Sequence, residues 1–303
     1  MKALLAVLVA LLAAPATAAA STPTIGIGEQ HPQLFTQQRF QDLGVSHVRF
    51  IASWDAFKSD WQRAELDAYM RAARAAHVKV LLGFGRSRDP KLMRKLPSLR
   101  AYEREFKKFR ARYPDVDEFI AWNEANHCSQ PTCRHPGRAA QYYLAARRNC
   151  KGCAIVGASL LDSSNMAEWA KRFQKAAGPE RRIIWGLHNY IDANLFRTKG
   201  TRALLRAVKG DIWFTETGGI VKRNNKSKLK FPESTRNAAA ATNFVFKLAA
   251  LSSRVKRVYF YHWAPAPTTR PTWDSALVDR RSKPRPAYNV LLTWLQRHGI
   301  ARS

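Results

Sequence analysis

The chain has 303 residues, with 51 Lys and Arg against 22 Asp and Glu, a formal net charge of +29 and a pI near 10.6. Its length suits one large α/β barrel or two small domains, and its charge favours polyanionic surroundings. No zinc-finger spacing with histidines, basic zipper or RNP-like aromatic motif is present, so nucleic acid is not the expected partner; no window after the N-terminus holds about 18 uninterrupted apolar residues, which argues against a transmembrane helix.

In chain order the first feature is Met1 and Lys2, an apolar run from Leu4 to Ala14, and Ala18, Ala19 and Ala20 before Ser21. This pattern predicts a secretory signal peptide over residues 1–20 and export to the medium or the cell wall. Eight short apolar, β-branched or aromatic runs follow: Thr24 to Gly28, Ser46 to Ile51, Val78 to Phe84, Glu118 to Trp122, Ala154 to Ala158, Ile183 to Leu187, Asp211 to Thr215 and Val258 to His262. Amphipathic helical periodicity is clearest at Trp61 to Ala76, Ser98 to Tyr113, Gly137 to Asn149, Met166 to Ala176, Thr201 to Val208, Thr235 to Leu251 and Pro286 to His298. Strand and helix in alternation imply a parallel sheet, and eight strands are what a closed (β/α)8 TIM barrel requires. No Pro/Gly/Ser linker interrupts them, so residues 21–303 are expected to form one catalytic domain, acting as a monomer and without an appended carbohydrate-binding module. A doubly wound open sheet would normally carry a Gly-rich phosphate turn after its first strand. Here Gly26-Ile27-Gly28-Glu29-Gln30-His31 lacks the third glycine and a helix start.

Cys128 and Cys133 follow the fourth run, and Cys150 and Cys153 precede the fifth. Their spacing superficially resembles a zinc ribbon, but export favours disulfides. The intervening helix separates the two pairs by about 20 Å, whereas bridged Cα atoms lie within about 7 Å. Only the local pairs Cys128 with Cys133 and Cys150 with Cys153 can close, and the same distance excludes a shared zinc. Cys150 ends a helix, whereas a redox Cys-x-x-Cys normally begins one, so the second pair reads as a structural clip.

Barrel active sites form at the C-terminal ends of the strands. Two runs end in glutamate: Phe119-Ile120-Ala121-Trp122-Asn123-Glu124 and Ile212-Trp213-Phe214-Thr215-Glu216. A glutamate at a strand end is commonly a solvated rim group or a helix cap. Here each follows an apolar, aromatic-rich strand in which a charge is costly, and the fourth and seventh strands face each other across a barrel of eight. Opposed carboxylates suit glycosidic cleavage, in which one protonates the leaving oxygen while the other attacks the anomeric carbon. The acid is expected to have its pKa raised by burial and by its charged partner.

Trp122-Asn123-Glu124-Ala125-Asn126 resembles the Asn-Glu acid/base motif of clan A retaining glycoside hydrolases, and Trp213-Phe214-Thr215-Glu216 resembles their strand-seven nucleophile motif. The resemblance spans essentially the whole chain after the signal peptide. It implies Glu124 as general acid/base and Glu216 as nucleophile. It further implies that Arg49 braces the nucleophile, Asn123 binds the hydroxyl beside the anomeric carbon, the Tyr190 hydroxyl contacts the nucleophile, His188 lines the cleft, and the Trp263 indole floors the scissile-sugar subsite. Trp54 and Trp273 are candidates for neighbouring subsites. Family 5 would place a histidine after strand three, where this chain reads Leu82-Gly83-Phe84-Gly85-Arg86; the exact family, with family 39 among those open, is not resolved by the motifs.

The loop after Glu216 holds Lys222, Arg223, Lys226, Lys228 and Lys230 without an acid, and that after strand eight holds Arg280, Arg281, Lys283 and Arg285. Both belong to the active-site face, which predicts an acidic glycan or anionic wall polymer as substrate; the alternative is a generally basic, solvated surface. Two carboxylates need no cofactor, and no cluster of His, Asp and Cys suggests a catalytic metal. The reaction expected is hydrolysis of an O-glycosidic bond in a polysaccharide or oligosaccharide. A transglycosylase would use the same two glutamates, and a non-catalytic carbohydrate-binding barrel is the alternative of a different class.

Overall fold

A computed structural model describes residues 22–179, 181–223, 229–266, 268 and 273–301. The expected signal peptide, residues 1–20, and two of the basic loop residues, Lys226 and Lys228, lie outside the described residues.

Eight parallel strands close into a barrel in chain order: β1 (Thr24–Gly28), β2 (His47–Ser53), β3 (Lys79–Gly85), β4 (Glu118–Ile120), β5 (Ala154–Leu161), β6 (Ile184–His188), β7 (Ile212–Thr217) and β8 (Val255–Tyr261), with β8 pairing back onto β1. Around it run α1 (Asp60–Ala75), α2 (Leu99–Arg112), α3 (Pro136–Asn149), α4 (Met166–Ala177), α5 (Lys199–Ala207), α6 (Thr235–Ala249) and α7 (Pro286–Arg297). Ser98 and Ser234 cap α2 and α6 through their hydroxyls, which accept from the backbone N–H groups of Ala101 and Asn237. Pro136 and Pro286 open α3 and α7, where the missing N–H costs nothing. The fold is the expected (β/α)8 barrel, with one departure in its outer ring. After β1 the chain makes only a 3-10 turn (Pro32–Thr36) and a short helix (Gln38–Asp42).

Alternating strand residues divide the core in two. Val48, Phe50, Leu82 and Phe84 point outward to the helices, whereas Leu81, Ile120, Val156, Trp213 and Tyr259 fill the barrel interior. At its N-terminal mouth Arg257 binds Glu118 and lies 4.0 Å over the Trp213 ring. At the other end, the side chain of Ser159 and that of Thr215 hydrogen-bond at 2.8 Å across β6. Gly186 leaves room for them, since a Cβ there would come within 2.4 Å of Ser159 Oγ and 2.7 Å of Thr215 Oγ1. This bond fixes the residue before Glu216.

β4 ends at Ile120 instead of Trp122, but its contacts continue: Ala121 N–H donates to Val156 O, Asn123 N–H to Phe84 O and Ala125 N–H to Ser159 O. The backbone then turns through Glu124 at φ 49°, a left-handed conformation that non-glycine residues adopt at some cost. The regular ladder stops where the chain bends to present Glu124. Disulfides join Cys128 to Cys133, with Cα atoms 4.9 Å apart, and Cys150 to Cys153, at 5.5 Å, the local pairing expected. No described helix is long and apolar enough to cross a membrane.

Candidate active site

Arg49 points from β2 into the upper barrel with 2% of its surface exposed. Its Nη1 donates to Glu216 Oε2 at 2.8 Å and its Nη2 to Asn123 Oδ1 at 2.7 Å, with His188 Nε2 3.4 Å from Nη2. One buried cation therefore ties strand ends β2, β4, β6 and β7 together, and its interior location is tolerable because those bonds compensate lost hydration. The second oxygen of Glu216 accepts from the Tyr190 hydroxyl at 3.1 Å. Burial first, then the Glu216 charge, push the Tyr190 hydroxyl well above its ordinary pKa, so it remains a donor. Asn123 spends its carbonyl on Arg49, and its amide nitrogen donates to no group among the described residues, leaving it for a ligand in the cleft.

Glu124 and Glu216 are close. One oxygen of each and a nitrogen of His188 all lie within 4.8 Å of one another, and His188 Nδ1 is 3.4 Å from Glu124 Oε1 and 3.8 Å from Glu216 Oε2. The expected rise in the Glu124 pKa is not what the free protein has. Burial acts upward, but the close approach of His188, with smaller contributions from His127 and Arg49, outweighs it and holds the carboxyl below the ordinary glutamate range. The neighbours brought in from other strands reverse the expected direction. The same three side chains could geometrically share a cation, but the Arg49 guanidinium already occupies Glu216 and supplies positive charge there, a poor setting for a metal ion.

One cavity contains this pair, and a second includes the neighbouring Asn123. The first, of about 390 Å3, is lined by Glu124, Glu216, His188, Tyr190, Arg223 and Trp273 among others. The second, of about 360 Å3, contains Asn123, Gln30, His31, Arg86 and Arg88. Larger hollows near His77, about 650 Å3, and near Arg138, about 960 Å3, hold no pair of acids; volume alone does not select the site.

Trp263 does not meet the expectation of a subsite floor. It is 1% exposed, its indole N–H donates to Gln37 Oε1 at 2.9 Å, and Phe40 and Tyr288 meet its ring edge-on. The short helix after β1 and α7 enclose it. Trp54 is likewise buried at 6% exposure, with the Lys58 ammonium 4.8 Å from its ring. Trp273 lines the cavity instead and packs edge-on against Tyr190 with centroids 4.7 Å apart.

Two strand-end acids were missed. Glu29, following β1, accepts backbone N–H groups from Gln30, His31, Trp263 and Ala264, pinning the β1 end to the β8 end. Asp162, following β5, lines the larger cavity of the pair and accepts from the Asp192 N–H at 2.9 Å, in the short helix (Tyr190–Asn194) that begins with Tyr190. Burial, reinforced by the Asp192 charge, pushes the Asp162 carboxyl up to about 7. The same strand-end rule that found Glu124 and Glu216 points to both.

No protein-family model and no curated protein sequence matches the chain. Solved structures do resemble it. The GH5_18 protein from Streptomyces cattleya, in complex with GlcNAc, superposes with a TM-score of 0.66 at 13% identity over 92% of this chain and 80% of that one. Xylanase 10B from Thermotoga maritima gives 0.62 at 12% identity, over 90% and 95%. A GH39 β-xylosidase from Caulobacter crescentus gives 0.61 at 14% identity, over 91% and 71%. At these identities the likeness is one of fold, and the chemistry must be argued from the side chains.

Proposed function

We propose that the protein is a retaining glycoside hydrolase that cleaves O-glycosidic bonds of a polysaccharide by double displacement. The observation that carries this reading is the approach of Glu124 and Glu216 to within 4.8 Å. Retaining enzymes hold their carboxyls about 5 to 5.5 Å apart, and inverting ones about 6.5 to 9.5 Å to admit a water between them. Glu216 attacks the anomeric carbon as the bond to the leaving oxygen breaks and Glu124 gives that oxygen its proton. Water then attacks the glycosyl-enzyme, Glu124 takes the water's proton, and Glu216 departs as carboxylate. Arg49 and Tyr190 hold and orient Glu216, and the free amide of Asn123 is placed to bind a substrate hydroxyl. Export to the cell exterior fits the N-terminal pattern and the two disulfides. An acidic glycan fits the Arg223 cation in the wall of the cavity that contains the two glutamates.

The test is the anomeric configuration of the first-formed product, followed by NMR on a polysaccharide panel, together with Glu216→Gln. Retention, and loss of turnover with binding preserved, are expected. Inversion, or undiminished hydrolysis by the variant, overturns the reading.

A further inference from the structure

Among the described residues, the cavity that contains the two glutamates has a side-chain cation with no counter-ion in its wall. Arg223 belongs to a two-residue ribbon, Lys222–Arg223, paired antiparallel with Trp273–Asp274. The ribbon is fixed from behind, because Asp274 binds Arg285 through both carboxylate oxygens at 2.6 and 2.9 Å, and Val221 N–H donates to Asp274 O. The guanidinium lies 4.9 Å from the Phe231 ring centre and 5.9 Å from that of Trp273, and its Nη1 donates to Leu229 O at 3.1 Å. Among the described residues no carboxylate comes within ion-pair distance of it, and its Nε is buried without a partner; Glu233 acts on it only from longer range. The acids of the cavity are engaged elsewhere: Glu216 with Arg49 and Tyr190, Asp162 with the Asp192 N–H, and Glu124 beside His188.

A half-buried cation without a counter-charge is costly, and here its plane is set by two aromatic rings. The bond to Leu229 uses Nη1 and Nε is enclosed, which leaves Nη2 to donate a charge-assisted hydrogen bond to an anionic oxygen in the cavity. We propose that Arg223 binds the carboxylate of a uronic acid residue of the substrate lying in this cavity, so that the enzyme selects uronate-containing glycans. The inference rests on the hydrolase reading. Trp273 connects the two functions, since its ring contacts both Arg223 and Tyr190, the donor to Glu216.

The experiment uses oligomers of glucuronic, mannuronic and galacturonic acid, their carboxyl-reduced neutral counterparts, and sulfated neutral oligomers. Hydrolysis is compared for the wild type, Arg223→Gln and Arg223→Lys, and binding is measured calorimetrically in the Glu216→Gln background. At least one uronate oligomer should be preferred over its reduced form by about 10- to 100-fold, the worth of a charge-assisted bond. Arg223→Gln should collapse that preference, and Arg223→Lys should restore only part of it. Equal losses on acidic and neutral oligomers, no preference in the wild type, or a preference for sulfate over carboxylate would overturn the assignment of Arg223. Undiminished hydrolysis by Glu216→Gln would instead overturn Glu216 as the nucleophile, and no hydrolysis of any oligomer by the wild type would overturn the hydrolase reading; in either case the binding measurement would still decide whether Arg223 holds a carboxylate.

Discussion

Arg49 donates a 2.8 Å hydrogen bond to Glu216 from a side chain that is 2% exposed. Its other nitrogen holds Asn123, so one guanidinium orients a group on each side of the reacting carbon in the proposed mechanism. Arg49→Lys preserves charge but lacks the fork needed to span both partners. It should lower kcat/KM by at least about 100-fold, the scale at which a misplaced catalytic group is felt. Arg49→Ala should in addition destabilise the fold by about 3 kcal/mol in urea unfolding, because Glu216, with a side chain only 13% exposed, loses its counter-charge. Near-wild-type kinetics in Arg49→Lys would remove the bridging role.

Glu124 and Glu216 should separate kinetically. An aryl glycoside whose leaving group is a strong acid needs little protonation. With such a substrate Glu124→Gln should retain a rapid first step and accumulate glycosyl-enzyme, while its turnover of an unactivated oligosaccharide falls by about 100- to 10,000-fold. Glu216→Gln should show no burst with either. Equal losses on both substrates in Glu124→Gln would argue against an acid/base role.

The lowered Glu124 pKa has a visible consequence. The competent free enzyme needs Glu124 protonated, so the alkaline limb of kcat/KM should lie to the acid side of that expected for an ordinary glutamate. Replacing His188 with Asn removes the main influence holding it down and leaves burial dominant. The alkaline limb should then move to higher pH. A limb that stays in place, measured with a substrate that still requires protonation, would mean His188 does not set the ionisation of Glu124.

Most of the barrel is legible in the sequence because parallel strands buried on both faces read as unbroken apolar runs. β4 is the instructive exception, since the apolar run continues to Trp122 while the ladder yields to the bend at Glu124. The two glutamates stand out for the same reason: each is a charge at the end of a strand whose other residues are apolar. Tryptophan roles are not legible in this way. Whether Trp263 or Trp273 keeps an open face depends on Gln37, Phe40 and Tyr288, distant in sequence and brought together by packing. Nor could the direction of the Glu124 shift be read, because it depends on His188, 64 positions away on another strand.

That packing difference predicts opposite phenotypes. Trp273→Ala should raise KM and leave the urea midpoint nearly unchanged, because the ring lies in the cavity wall. Trp263→Ala should cost about 3–5 kcal/mol through the cavity it opens. If Trp263→Ala instead raised KM without loss of stability, the indole would have to reach substrate after all.

Asp162 and His262 should bend the pH dependence of stability in opposite directions. Asp162 is raised from 3.8 to about 7 in the folded chain. Between those values the native state holds a proton that the unfolded state has lost, so this group's contribution falls as pH rises, by up to about 4 kcal/mol across the window. His262 is buried, mainly by desolvation lowered from 6.5 to about 4. In that window the unfolded state holds the extra proton, so its contribution rises with pH, by up to about 3 kcal/mol. The two oppose each other between about pH 4 and 6.5. Asp162→Asn, which keeps an oxygen to accept the Asp192 N–H, should make the slope of unfolding free energy against pH more positive than in the wild type, by about 1.4 kcal/mol per pH unit. His262→Asn should make it more negative by a similar amount. Chemical denaturation of all three proteins from pH 4 to 7 measures both slopes; an Asp162→Asn slope equal to the wild type would mean that this carboxyl is ionised throughout, and that the negative charge in the cleft wall is permanent.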